Sequence, residues 1–168
     1  MKNTLFTGMA TAIVTPMAND GSIDYEAMGR FIDFQIENGI NALVVMGTTG
    51  ENATLEPEEQ KEVIAFTVKK TAGRVPVIAG TGTNNTAHVL ENTKNACEVG
   101  VDGILVVTPY YNKAAARDVS ALTSRVAPSV CLTVMYTSTC PRTRAVSPLR
   151  TPSSRKSRLR GRRIATSR

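Results

Sequence analysis

Tryptophan is absent from this 168-residue chain, histidine occurs once, and no apolar run comes near the length of a membrane span. A spanning helix needs about 20 consecutive apolar residues, so the pattern argues against one. The opening Met1-Lys2-Asn3-Thr4-Leu5-Phe6 has no apolar core of the secretory type, and a cytoplasmic location is expected. With His88 as the single histidine, Ser-His-Asp and histidine-metal schemes have almost nothing to draw on. The three cysteines, Cys97, Cys131 and Cys140, form no Cys-x-x-Cys pair, so no zinc or other metal site is expected. Cys97 falls among apolar neighbours on an expected helix and reads as a buried structural thiol. No Gly-x-Gly-x-x-Gly follows the first strand, and Gly80-Thr81-Gly82 is only a partial match, which weakens a dinucleotide site.

Acidic residues are almost missing from one part of the chain. Residues 1–113 hold 8 Lys+Arg and 13 Asp+Glu, a balance of −5. Residues 114–168 hold 12 Lys+Arg against the single acid Asp118, a balance of +11. The overall charge of +6 therefore averages two dissimilar compositions.

What is present in the first part is a strict alternation. Met9–Pro16 reads as a strand stopped by Pro16, and Asn19-Asp20-Gly21-Ser22 as a turn. Asp24 can cap a helix with Met28, Phe31, Ile32 and Ile36 on one face and Gly39 at its end. Ala42–Met46 is a second strand, apolar throughout as in a parallel sheet buried on both faces. Pro57 followed by Glu58 and Glu59 opens a helix whose inner face is Ile64, Val68 and Ala72. Val75–Gly80 is a third strand. A helix from about Thr86 to Val99 follows, with Val89, Leu90, Thr93 and Cys97 inward and Gly100 as its stop. Gly103–Val107 is the fourth strand. Such an α/β chain forms right-handed βαβ units, in either a doubly wound sheet or part of a (β/α)₈ barrel.

In parallel α/β sheets, ligands bind where strands end at their carboxyl side. Here those ends are Thr15-Pro16, Gly47-Thr48-Thr49-Gly50-Glu51, Gly80-Thr81-Gly82 and Thr108-Pro109-Tyr110-Tyr111. The rim is rich in hydroxyls and poor in charge. It suits a small polar or anionic ligand held by hydroxyl and backbone N–H donors, and it does not suit nucleic acid. Taken alone, the Gly-Thr-Thr-Gly turn could equally be a strand-to-helix connection with a capping threonine.

Four motifs in order and in register carry a resemblance. Phe6-Thr7-Gly8 through Ala12-Ile13-Val14-Thr15-Pro16, Gly47-Thr48-Thr49-Gly50-Glu51, Ala79-Gly80-Thr81-Gly82 and Val107 through Lys113 closely resemble dihydrodipicolinate synthases, within the wider pyruvate-dependent aldolases and lyases. Threonine at position 48 favours the synthases over N-acetylneuraminate lyase, which usually carries serine there. The resemblance implies a (β/α)₈ barrel, of which residues 1–113 would form the N-terminal half: about four strands and three to four helices. It also implies condensation of pyruvate with L-aspartate semialdehyde in lysine (diaminopimelate) biosynthesis. A lysine Schiff base, no metal or organic cofactor, and a homo-oligomer built as a dimer of dimers belong to the same expectation. By similarity, Thr48 and Tyr111 belong to a proton relay, with Tyr111 reaching in from an adjacent subunit, and Thr49 holds the pyruvate carboxylate. Hydroxyls both donate and accept, as a relay requires. Asn52, Ala53, Asn84 and Tyr110 match positions of a feedback site for lysine. His88 stands where lysine-sensitive enzymes often carry an acid, which argues against feedback control.

Past Lys113 the match thins. Val130–Tyr136 can pass for a strand ending in tyrosine, giving Tyr136 as third relay member, and Pro141-Arg142-Thr143 gives Arg142 as a substrate-binding arginine. The single later lysine, Lys156, sits in Ser153–Arg158 with no apolar strand before it, so the Schiff-base role is not assigned to it. The basic Arg/Ser/Thr-rich segment 114–168 is expected to be irregular and the product of a shifted reading frame, leaving the chain inactive alone. A nucleic-acid-binding tail on a non-enzymatic half-barrel is the rival. It lacks any aromatic beyond Tyr136 to stack on bases.

Overall fold

The computed structural model describes residues 4–107, Tyr110 and the backbone of residues 133–136. Five strands, β1 (Ala10–Ala12), β2 (Ala42–Val45), β3 (Val77–Gly80), β4 (Gly103–Val107) and β5 (Thr133–Tyr136), form one sheet in sequential order, each parallel to the next. Helices α1 (Tyr25–Glu37), α2 (Pro57–Thr71) and α3 (Thr86–Val99) connect the first four. Sequential order with crossover helices is the winding of a (β/α)₈ barrel, of which this is the N-terminal half. A doubly wound sheet would reverse its strand order part-way, and this sheet does not.

Local chemistry explains most boundaries. The Asp24 carboxylate accepts from Ala27 N at 2.8 Å and starts α1. Pro57 occupies the first position of α2, where its missing N–H costs nothing, and Glu56 and Glu59 form a reciprocal capping box. Gly100, at φ +89, closes α3. The expected turn at Asn19–Ser22 is a small hairpin, in which Ala18 N donates to Ser22 O and Met17 bridges Ile23.

The core lies between sheet and helices. Met28 and Ile32 of α1, Val63 of α2, and Val89 and Ala96 of α3 are wholly buried against Leu43, Val45 and Ile104. Each large aliphatic chain buried this way contributes about 1.5–3 kcal/mol of transfer free energy. Two expectations need correction. The inner face of α2 is Val63, Ile64, Thr67 and Thr71; Ala72 is instead the exposed left-handed cap at φ 50. Cys97 is half-buried rather than core, because Ala96 takes the inward position on α3. The sheet also has a fifth strand, β5, which falls at the end of Val130–Tyr136, the run read as a strand ending in tyrosine within an otherwise irregular segment. Its Thr133–Tyr136 are uncharged and sit at the end of an apolar run able to pair with β4.

Candidate functional site

Parallel pairing places all the strand ends on one rim. The register steps regularly: Ala12 lies beside Val44, Val45 beside Ala79, Gly80 beside Leu105, and Val107 beside Tyr136. The backbone of Tyr136 is thus the last residue of β5, on the same rim as the turn after β2.

That turn is built tightly. Met46 leaves β2 in the left-handed conformation at φ 55, uncommon for a residue with a side chain, and its side chain is wholly buried. A single 3₁₀ turn, Thr48–Gly50, follows; Gly50 N donates to Gly47 O at 3.0 Å, and Glu51 N to Thr48 O at 3.1 Å. Glu51 is again left-handed at φ 57. The hydroxyl of Thr15, buried at the end of β1, donates to Gly50 O at 2.8 Å and ties the turn to the neighbouring strand. Gly50 sits close against the neighbouring strand: a Cβ there would stand 3.3 Å from Ile13 O, tight enough to push that backbone by a few tenths of an ångström, and 3.5 Å from Thr15 Oγ1. Thr48 and Thr49, by contrast, are exposed. The turn therefore hides its glycine and presents two hydroxyl-bearing residues outward.

The next rim position is quieter. The hydroxyls of Thr81 and Thr93 lie 3.0 Å apart and buried, so Thr81 joins β3 to α3. Asn52 and Ala53 follow the 3₁₀ turn in a segment pinned by Gln60, whose amide donates to Asn52 O at 2.8 Å and Leu55 O at 3.0 Å. Asn84 and His88 are exposed, Asn84 just before α3 and His88 in its first turn; Tyr110 is half-buried. Thr108, Pro109, Tyr111, Arg142 and Lys156 lie outside the described residues, as does the Tyr136 side chain.

A cavity also occurs elsewhere. About 410 Å³ opens on the outer helical face between α1 and α2, lined by Tyr25, Gly29, Asp33, Phe66 and Lys70 among others. Its apolar floor and ion-paired rim reflect helix packing rather than the strand ends. No cluster of three or more His, Cys, Asp or Glu able to hold a metal occurs among the described residues. Described lysines 61, 69, 70 and 94 all sit on α2 or α3 and none on a strand, although Lys61 lines a small pocket with Gly80 and Thr81 at the exit of β3. Sequence reasoning missed Met46 as a special backbone position, since nothing in a buried apolar run marks its last residue as left-handed. It also missed the Thr15 anchor, which depends on a contact across 35 residues.

Comparison with known proteins gives the same architecture a family. The model of the dihydrodipicolinate synthetase family matches residues 5–148, which carries the likeness beyond Lys113 and through β5. The 4-hydroxy-tetrahydrodipicolinate synthase of Kosmotoga olearia is 54% identical over 109 residues, 65% of this chain and 37% of that protein. The crystal structure of dihydrodipicolinate synthase from Aquifex aeolicus superposes with a TM-score of 0.74 at 47% identity, covering 78% of this chain and 45% of that one. The chloride-inhibited dihydrodipicolinate synthase of Acinetobacter baumannii, complexed with pyruvate, gives 0.75 at 40% identity, covering 79% and 46%. This chain thus spans less than half the length of each of these relatives. With its sheet order, its rim turn and its family match in agreement, the chain belongs to the dihydrodipicolinate synthetase family.

Proposed function

We propose that this chain carries the N-terminal, pyruvate-holding part of a 4-hydroxy-tetrahydrodipicolinate synthase site, a lyase-type site condensing pyruvate with L-aspartate semialdehyde on the way to lysine. The observation that carries the reading is the Thr48–Thr49 turn: two exposed hydroxyl-bearing residues on a rim poor in charge, locked from below by the Thr15–Gly50 hydrogen bond. A small keto acid needs donors for its carboxylate and a group that passes a proton. Thr49 supplies a carboxylate donor, and Thr48 a relay hydroxyl that Tyr111 and Tyr136 extend. Arg142 is a substrate-binding arginine. Asn52, Ala53, Asn84 and Tyr110 match the edge of a lysine-effector site whose feedback role His88 argues against, and the complete enzyme works as a homo-oligomer in the cytoplasm.

The covalent step requires a lysine that is partly neutral at a buried strand end. No described lysine stands there, and Lys156 has no apolar strand before it. The chain as written accordingly binds pyruvate without forming the imine. Residues 1–113 are its functional part, and the basic composition past the end of the family match at residue 148 comes from a shifted reading frame. Resequencing the gene tests the last point: an unshifted frame encoding the same tail refutes it.

An NMR titration of the ¹⁵N-labelled chain with pyruvate tests the site. Saturable shifts at the Thr48 and Thr49 amides are expected, without a borohydride-trapped adduct. Absence of shifts at these two amides overturns the pyruvate reading, and a trapped adduct overturns the assignment of the chain as lacking its lysine.

A further inference from the structure

Strand β3 lies between β2 and β4, and the two glycines at its exit face opposite ways. A Cβ built on Gly80 would fall 2.7 Å from the Met46 carbonyl carbon and 2.9 Å from Gly47 N, with the Met46 oxygen closer still. A Cβ on Gly82 would fall 2.6 Å from Val107 Cγ1 and 3.1 Å from Val107 O, with Val107 N closer still. Real Cβ contacts this short do not persist, and most of the obstructing atoms are backbone, which cannot swing aside as a flexible side chain can. Neither glycine is left-handed, so what matters at both is the missing carbon and not backbone freedom.

The two neighbours are not arbitrary. Met46 and Gly47 are the root of the Thr48–Thr49 turn, and Met46 already holds a φ of 55, unfavourable for an L-residue. Val107 is the last residue of β4, from which the chain runs on to Tyr110. Thr81, between the two glycines, is fixed by its N–H to Leu105 O at 3.0 Å and by its hydroxyl against Thr93.

We propose that Gly80 and Gly82 are positioning residues for the rim: their bare backbone is a spacer of fixed width that sets the Thr48–Thr49 turn on one side and the β4 exit on the other. Gly80 lets the Met46 peptide lie directly against β3, which keeps Met46 left-handed and aims the 3₁₀ turn over the sheet. Gly82 does the same for Val107. The inference rests on the pyruvate reading only for what the turn holds; the geometry stands without it.

Hydrogen exchange on the full chain tests it. In Gly80→Ala, amides of residues 46–51 should exchange at least about tenfold faster, while those of 105–107 change by less than about twofold, as a local opening predicts. Gly82→Ala should show the reverse. Gly29→Ala, whose new Cβ would meet only ordinary contacts at 3.4 and 3.5 Å, should move neither region. Pyruvate-induced shifts at Thr48 and Thr49 should vanish in Gly80→Ala and persist in Gly29→Ala. The crossed exchange pattern without any pyruvate shift in the parent chain supports the spacer and removes the pyruvate reading. Uniformly faster exchange in both glycine variants, unchanged exchange, or failure of either variant to fold overturns the spacer, because each makes the glycines general packing positions.

Discussion

The hydroxyl of Thr15 donates to the carbonyl of Gly50 at 2.8 Å, in a buried position that joins the end of β1 to the far side of the turn after β2. Replacing Thr15 with Val keeps the shape and strands that carbonyl. The expected cost is about 1–3 kcal/mol for the unpaired acceptor, read as a lowered denaturation midpoint. Thr15→Ser, which keeps the hydroxyl, should recover much of it. Equal destabilisation by the two substitutions would mean that the methyl group, not the hydrogen bond, is what the turn needs.

Two threonines on α2 make an opposite pair. Thr67 donates its hydroxyl to Val63 O at 2.8 Å, whereas the equally buried Thr71 hydroxyl is the single unpartnered buried side-chain oxygen among the described residues. Burying an unpaired hydroxyl costs about 1–3 kcal/mol on protein scales. Thr71→Val should therefore be neutral or stabilising, and Thr67→Val should be the worse of the two. Urea titrations of the two variants would show the order, and the reverse order would refute it.

Gly29 lies inside α1, buried beneath the side chains of Phe66 and Lys70. An added methyl meets Lys70 Cε at 3.4 Å, the movable end of a long side chain. Gly29→Ala should stabilise the chain by about 0.5–1 kcal/mol through helix propensity. A fall in thermal midpoint would show that the close approach of α2 depends on the glycine.

The pH dependence centres on Asp33. Hydrogen bonds from Lys70 first and Arg74 second hold its carboxyl below the ordinary carboxylate range. A depressed folded value stabilises the protein above the unfolded pKa of about 3.9 and is lost as pH falls through the lower folded value. Asp33→Asn should thus flatten the acid limb of the stability curve below about pH 4, where carboxylates of this kind titrate, and leave the slope near neutrality unchanged. The pair cluster is solvent-exposed, so the difference should shrink in 1 M salt, where the Debye length is about 3 Å. An acid limb identical in the two proteins would remove Asp33 from the account.

The sequence by itself determined the alternation of elements, because each boundary is a local event. Asp24 caps α1, Pro57 opens α2, Gly100 ends α3, and the all-apolar Ala42–Val45 can satisfy its backbone only in a sheet covered on both faces. It also determined the rim, since hydroxyl residues follow the strands and parallel pairing gathers strand ends on one side. Tertiary structure alone decided what holds that rim in place. The left-handed turn at Met46, the Thr15–Gly50 bond and the gaps beside Gly80 and Gly82 all arise from backbone segments meeting across tens of residues. Periodicity records which side of an element is apolar, but it carries no information on which neighbouring backbone will be pressed against it.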